Sequence, residues 1–128
     1  MIGASFAAHP REASMSDCLF CKIAAGEIPS TKVYEDDRLF AFEDINPAAP
    51  THVLIIPKAH LDSMREAGEE HREMIGDILL AAGRIAKERG LSEDGYRIVN
   101  NCGEDGGQTV PHLHFHLLGG RPFKWPPG

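Results

Sequence analysis

The run His112-Leu113-His114-Phe115-His116-Leu117-Leu118 decides how this chain is read. In a β-strand successive side chains point to opposite faces, so the three imidazoles share one face and Leu113, Phe115 and Leu117 share the other. The apolar face anchors the strand to a core, and the histidine face lines a site. The chain holds seven histidines, and three of them fall inside this run. An unperturbed pKa near 6.5 suits imidazole to nucleophilic and proton-transfer work at neutral pH. A metal-binding cluster or a solvated strand face are the plainer readings, and the large apolar residues between the histidines count against them.

Just upstream lies Gly106-Gly107-Gln108-Thr109. Glycines let backbone approach a phosphate, and successive N–H groups form an anion cradle, to which Gln108 adds an amide and Thr109 a hydroxyl. A plain hairpin turn is the alternative. Further out, Cys18 to Ala25 carries apolar residues at helical spacing, with Asp17 as N-cap and Gly26 as stop. Lys32 to Glu35 and Arg38 to Glu43 predict a hairpin, and Val53 to Ile56 a buried strand ended by Pro57. Ser63 to Glu66 has capping-box spacing. From Glu69 to Arg89 apolar residues recur every three or four positions, predicting the main helix, closed by Gly90. Tyr96 to Asn100 is a further strand. Strands separated mostly by turns, with one long helix between the third and fourth, predict an antiparallel α+β domain.

A length of 128 residues fits one domain, and 42% hydrophobic with 25% charged residues is ordinary for a globular chain. The formal net charge of −6 offers no field for a nucleic-acid polymer. No apolar run approaches a membrane span, so no membrane is expected as partner. Residues 1–16, rich in Ala and Ser, predict a disordered extension ahead of a domain at 17–128. Three cysteines without a recognisable export signal argue for a reducing compartment, and the expectation is cytoplasmic. Cys18 and Cys21 form a Cys-x-x-Cys, which supplies half a zinc site or simply two buried thiols.

The histidine run follows His-φ-His-φ-His-φ-φ, where φ is apolar. Gly95-Tyr96-Arg97-Ile98-Val99, Asn101, Gly106 to Val110 and Gly119-Gly120-Arg121-Pro122 extend the match. Upstream it takes in Phe40-Ala41-Phe42, Asp44-Ile45, Ala49-Pro50-Thr51-His52 and Ile56-Pro57-Lys58, and at the end Trp125-Pro126-Pro127-Gly128. With these motifs the chain, from about Cys18 to Gly128, resembles the Hint branch of the histidine triad (HIT) superfamily.

That resemblance implies a HIT-like fold: a five-stranded antiparallel sheet with one long and one short helix, two protomers joining into a ten-stranded homodimer. It implies binding of purine nucleoside monophosphates and hydrolysis of the P–N bond of nucleoside 5′-phosphoramidates and of aminoacyl adenylates, through a nucleotidyl-histidine. Dinucleoside polyphosphate hydrolysis and a nucleotide-binding regulatory role are the alternatives. By position, His114 is the nucleophile and His116 binds phosphoryl oxygens, while His112 and His52 complete a proton network. Gly107, Gln108 and Thr109 surround the phosphate, with Asn101 beside it. Asp44 takes the ribose hydroxyls, and Phe20, Ile23, Phe42 and Ile45 enclose the base. Trp125 reaches toward the partner's site or packs locally. Some relatives of this kind hold a structural zinc, here at Cys18, Cys21, His60 and His112; catalysis itself requires no cofactor. The chemistry agrees, since a phosphoramidate cleaves readily once its nitrogen is protonated, and a neutral imidazole is a competent nucleophile. No Walker-type Gly-x-x-x-x-Gly-Lys-Ser/Thr sequence points to a P-loop instead.

Overall fold

A computed structural model describes residues 17–128; the extension expected over residues 1–16 lies outside the described residues. The elements are α1 (Leu19–Ala24), β1 (Lys32–Glu35), β2 (Leu39–Glu43), β3 (Thr51–Pro57), 3-10 turns at Met64–Glu66 and Glu69–His71, α2 (Arg72–Glu88), β4 (Tyr96–Asn100) and β5 (Phe115–Gly119). All neighbouring strands pair antiparallel in the order β1-β2-β3-β5-β4. This is the α+β architecture read from the strand and helix spacing. Among the described residues no helix is long and apolar enough to cross a membrane.

Strand parity divides the core in two. Leu39, Ala41, Val53, Ile55, Phe115 and Leu117 face α2, whose Ile78, Ala82 and Ile85 are buried against them. Burying each such aliphatic side chain contributes about 1.5–3 kcal/mol. On the other face Phe40, Phe42, Leu54 and Ile56 meet Phe20 and Ile23 of α1. A six-residue helix is only about 9 Å long, so it cannot cover that face. The uncovered part carries the histidines.

Three expectations shift in detail. Cys18, not Asp17, caps α1, its sulfur accepting the Cys21 N–H at 3.4 Å. The main helix starts at Arg72, because Glu69–His71 wind as a 3-10 turn. It ends as expected: Gly90 takes φ +74°, and the Leu91 N–H turns back to the Ala86 carbonyl at 2.8 Å.

The third shift concerns the histidine run, which is a strand only from Phe115. Continuing the β3–β5 register past Ile55↔Phe115 would set Pro57 opposite Leu113, and proline has no N–H to donate. His112 to His114 are held by other bonds. The Leu113 N–H reaches the Leu61 carbonyl at 2.6 Å, and the Asn100 side chain donates to the His114 carbonyl at 2.9 Å. The alternation survives this change. Leu113 is buried in the α2-side core, while His112 and His114 lie beside Phe20 on the other face.

Candidate active site and metal centre

The face left bare by α1 opens into a cavity of about 350 Å³, within the range of small-molecule sites. Phe20, Ile23, Phe42 and Leu54 form an apolar wall, Asp44 and Ile45 stand at one side, and Thr109, His114 and His116 close the other. Phe20 sets the shape of the wall, its ring meeting Phe42 at 5.5 Å and His114 at 5.0 Å, both edge to face. Ile45 is 88% exposed, so it flanks the opening without lining a closed slot. Glu43, next to Asp44, has the opposite parity and pairs with Arg89 beyond α2.

Each histidine is defined by which nitrogen is already occupied. His114 is buried, and its Nδ1 lies 2.7 Å from the His112 carbonyl. A carbonyl only accepts, so Nδ1 carries the proton and Nε2 keeps its lone pair. Burial pushes the His114 pKa down, despite that bond, and favours the neutral ring. His52 accepts the Ala48 N–H on Nδ1 at 3.0 Å, which puts its own proton on Nε2. That Nε2–H faces His116 Nδ1 at 2.9 Å. His116 must therefore carry its proton on Nε2. Burial, followed by the neighbouring His114 and His52, lowers the His116 pKa to about 4, so it is a neutral donor at physiological pH. The Asp44 carboxylate stands 3.4 Å from His52 Nε2, and its other oxygen accepts the Asn46 N–H at 2.8 Å.

His112 belongs to a different cluster. Its Nδ1 lies 3.3 Å from Cys18 Sγ and 3.6 Å from Cys21 Sγ, and its Nε2 donates to the Pro57 carbonyl at 2.8 Å. Neither nitrogen is free for the proton network in which the resemblance puts this residue. His60 completes the group, with Nδ1 3.3 Å from Cys21 Sγ and Nε2 2.6 Å from Asp62. The four ligand atoms all lie within 4.8 Å of one another. Tetrahedral zinc, with Zn–S near 2.3 Å and Zn–N near 2.0–2.1 Å, sets sulfur and nitrogen about 3.5 Å apart. A ligating imidazole also gives its second N–H to a carboxylate or carbonyl. Asp62 and Pro57 are those acceptors, so the donor set fits zinc on both counts. Burial opposes ionisation of Cys18, but bonds from His112 and His60 outweigh it and bring the thiol down to about 5. Burial and the charge on Cys18 drive Cys21 up to about 12. Asp44, His52 and His116 also converge, but an ion there would have to break the His52–His116 bond.

The loop upstream of the histidines is braced by its own side-chain amides. Gln108 accepts the Gly103 N–H at 3.0 Å and donates to the carbonyls of Asp62 and Val110 at 2.7 and 3.0 Å. Asn101 donates to the Gly106 carbonyl at 2.7 Å. These two amides shape the loop, and of the phosphate residues expected there Thr109 lines the cavity. Gly107, at φ +81°, is the turn of that loop, and Trp125 is 83% exposed and does not line the cavity. Residues not singled out from the sequence include Leu54, Val110, Asn100 and Ala48. Alternation from His52 along β3 points to Leu54; Val110 stands at the end of the glycine loop, Ala48 acts through its backbone N–H, and Asn100 uses its side chain on a backbone carbonyl, a partner no sequence pattern marks.

Comparison with known proteins adds independent findings. A family model described as HIT domain matches residues 25–123. A 14 kDa zinc-binding protein of Zea mays is 55% identical over 115 residues, covering 88% of this chain and 89% of the relative. A purine nucleoside phosphoramidase of Escherichia coli K12 is 47% identical over 107 residues, covering 84% and 90%. Among solved structures, a HIT family hydrolase from Legionella pneumophila superposes with a TM-score of 0.86 at 54% identity, covering 88% of this chain and all of that one.

Proposed function

Because the chain belongs to the HIT domain family, we propose that it hydrolyses purine nucleoside 5′-phosphoramidates through a nucleotide covalently held on His114. One observation carries the reading: a buried, neutral imidazole whose Nδ1 is committed to a carbonyl and whose ring lines the cavity beside a neutral donor, His116. The phosphoramidase name of the Escherichia coli relative supports it.

In the first step the His114 Nε2 lone pair forms a bond to phosphorus. The P–N bond breaks, and its electrons leave with the nitrogen, which must take a proton. Two neutral imidazoles, His52 and His116, share two protons and can spare neither. An anionic phosphoryl group bound beside them favours a third, and that proton goes to the leaving amine. In the second step water attacks phosphorus, the bond to His114 breaks, and the water's proton returns to the histidine pair. The His116 N–H and the Thr109 hydroxyl hold the phosphoryl oxygens, Asp44 accepts from the ribose, and the Phe20–Phe42 wall takes the base.

Cys18, Cys21, His60 and His112 hold zinc in this reading, as a closed structural cross-link that supplies no reacting group. The homodimer is supported by the two sheet edges. The β1 edge is blunted by a register irregularity and Lys32, whereas β4 is an open edge carrying the exposed Tyr96, and α2 exposes Leu79 and Leu80. Sedimentation equilibrium giving twice the chain mass supports the dimer, and a monomer at micromolar concentration removes it.

Turnover of adenosine 5′-phosphoramidate tests the activity. Wild-type hydrolysis to AMP and ammonia supports it. AMP binding without turnover would make the protein a nucleotide binder, and preference for a dinucleoside polyphosphate would move it to the other hydrolase class.

A further inference from the structure

The carboxyl-terminal segment reaches the loop that orients His52. Arg121 Nε and Nη2 both donate to the Ala48 carbonyl, at 3.3 and 3.0 Å, and Nη1 donates to the Pro122 carbonyl at 3.0 Å. Ala48 is the residue whose N–H fixes His52 Nδ1. It is therefore held at both of its backbone polar groups, one by the guanidinium and one by the imidazole. Arg121 is itself held in place. Its guanidinium stacks on the Phe123 ring at 4.3 Å, and Arg97 approaches the same ring at 5.1 Å while donating to the Lys124 carbonyl at 2.9 Å. At Gly120, φ is +94°, and an added Cβ would lie 2.8 Å from Pro50 Cβ, so this backbone rests directly on the same loop.

We propose that Arg121 is a positioning residue, acting through Ala48 to hold His52 in the tautomer that keeps the His116 proton on Nε2, facing the cavity. The link follows from donor and acceptor roles alone. If the 46–50 loop drifts and the Ala48 N–H leaves His52 Nδ1, either ring nitrogen of His52 can carry the proton. With the proton on Nδ1, His52 Nε2 becomes an acceptor and His116 must turn its own proton inward. The cavity then loses its neutral donor. His114, whose tautomer depends on the His112 carbonyl, is untouched by this change. The catalytic consequence rests on the phosphoramidase reading; the tautomer consequence does not.

Nitrogen-15 spectra of imidazole-labelled full-length protein at pH 7.5 separate the two, with Arg121→Ala and Arg121→Lys as variants. In the wild type His52, His114 and His116 each show one protonated and one bare nitrogen. In Arg121→Ala the His52 and His116 nitrogens move toward averaged positions while those of His114 stay. With adenosine 5′-phosphoramidate, kcat falls about tenfold and KM changes less than about threefold, as expected for a displaced donor. Arg121→Lys, which keeps the charge with one donor centre in place of the fork, recovers part of both effects. If Arg121→Ala fails to fold, Arg121→Lys is read for the same shifts at smaller size. Unchanged His52 and His116 nitrogens overturn the proposal whatever the activity. Shifted nitrogens with an unchanged wild-type-like kcat overturn its catalytic half. A wild type that leaves the phosphoramidate intact sinks the activity but leaves the nitrogen shifts to decide the link.

Discussion

His112 and His114 are two residues apart on one face of one segment, yet they have opposite fates. Both nitrogens of His112 are spoken for, one by the cysteine sulfurs and one by the Pro57 carbonyl. His114 has a partner on Nδ1, the carbonyl of His112 itself, and its Nε2 is left for chemistry. In the proposed function the same side chain serves as a strut in one place and a nucleophile in the other. What differs is the count of committed nitrogens: each ring gives one nitrogen to a backbone carbonyl, and the cysteine sulfurs take the second nitrogen of His112. The two are also linked directly, because the His112 carbonyl sets the His114 tautomer.

The sharpest way to break this comparison is to remove each histidine in turn. His114→Ala lowers turnover by about 10⁴–10⁶, the scale seen when a nucleophile acting within a catalytic unit is deleted, while AMP affinity measured by calorimetry stays within about threefold. His112→Cys leaves the metal set as Cys3His, a donor set that also suits zinc. It keeps bound zinc and retains kcat within about tenfold. Equal losses in the two variants would erase the distinction between strut and nucleophile.

Next in size is removal of the metal set. In Cys21→Ser, zinc measured by atomic emission falls from about one per chain to under about a tenth. Thermal unfolding drops by several degrees, at about 4 °C per kcal/mol, and KM stays within about threefold. His52→Ala, on the other side of the comparison, keeps the zinc. Asp44→Asn gives a smaller effect confined to the cavity: KM rises about tenfold as a charged acceptor for the ribose is lost, and kcat changes less.

The order of strand, turn and helix signals assigns the α+β class, and the alternation of residues 112 to 118 puts the histidines opposite the core, even though the ladder begins only at Phe115. Cys-x-x-Cys marks only half of the zinc set, and His60 and His112 enter it through the family resemblance. The commitment of each nitrogen was not legible, because the partners are the Pro57 and His112 carbonyls and the Ala48 N–H, which every sequence possesses. The same blindness explains Gln108 and Asn101. Amides beside glycines read as ligands for phosphate, and the structure uses Asn101 to tie the loop to itself and Gln108 to tie it both to itself and to Asp62. Pro57 was read as the end of a strand, and its missing N–H also ends the pairing of the histidine segment two strand positions beyond Ile55.

The smallest expected effect lies in the pH dependence of stability. His116 titrates near 4 in the folded chain and near 6.5 when unfolded, so folding expels a proton between those values. Its contribution is fully present above pH 6.5 and is lost as pH falls toward 4, at no more than about 1.4 kcal/mol per pH unit. Urea unfolding at pH 7.5 and pH 5 therefore shows a smaller loss for His116→Asn than for the wild type. An equal loss would mean that His116 is not held neutral.

The most direct measurement is to stop the reaction in alkali during turnover of an adenosine phosphoramidate labelled at phosphorus, and to map the label on digested protein. The expected result is one labelled peptide with the adduct on His114 Nε2. Label on His112 or His116, or none while product accumulates, would contradict the division of roles between neighbouring histidines.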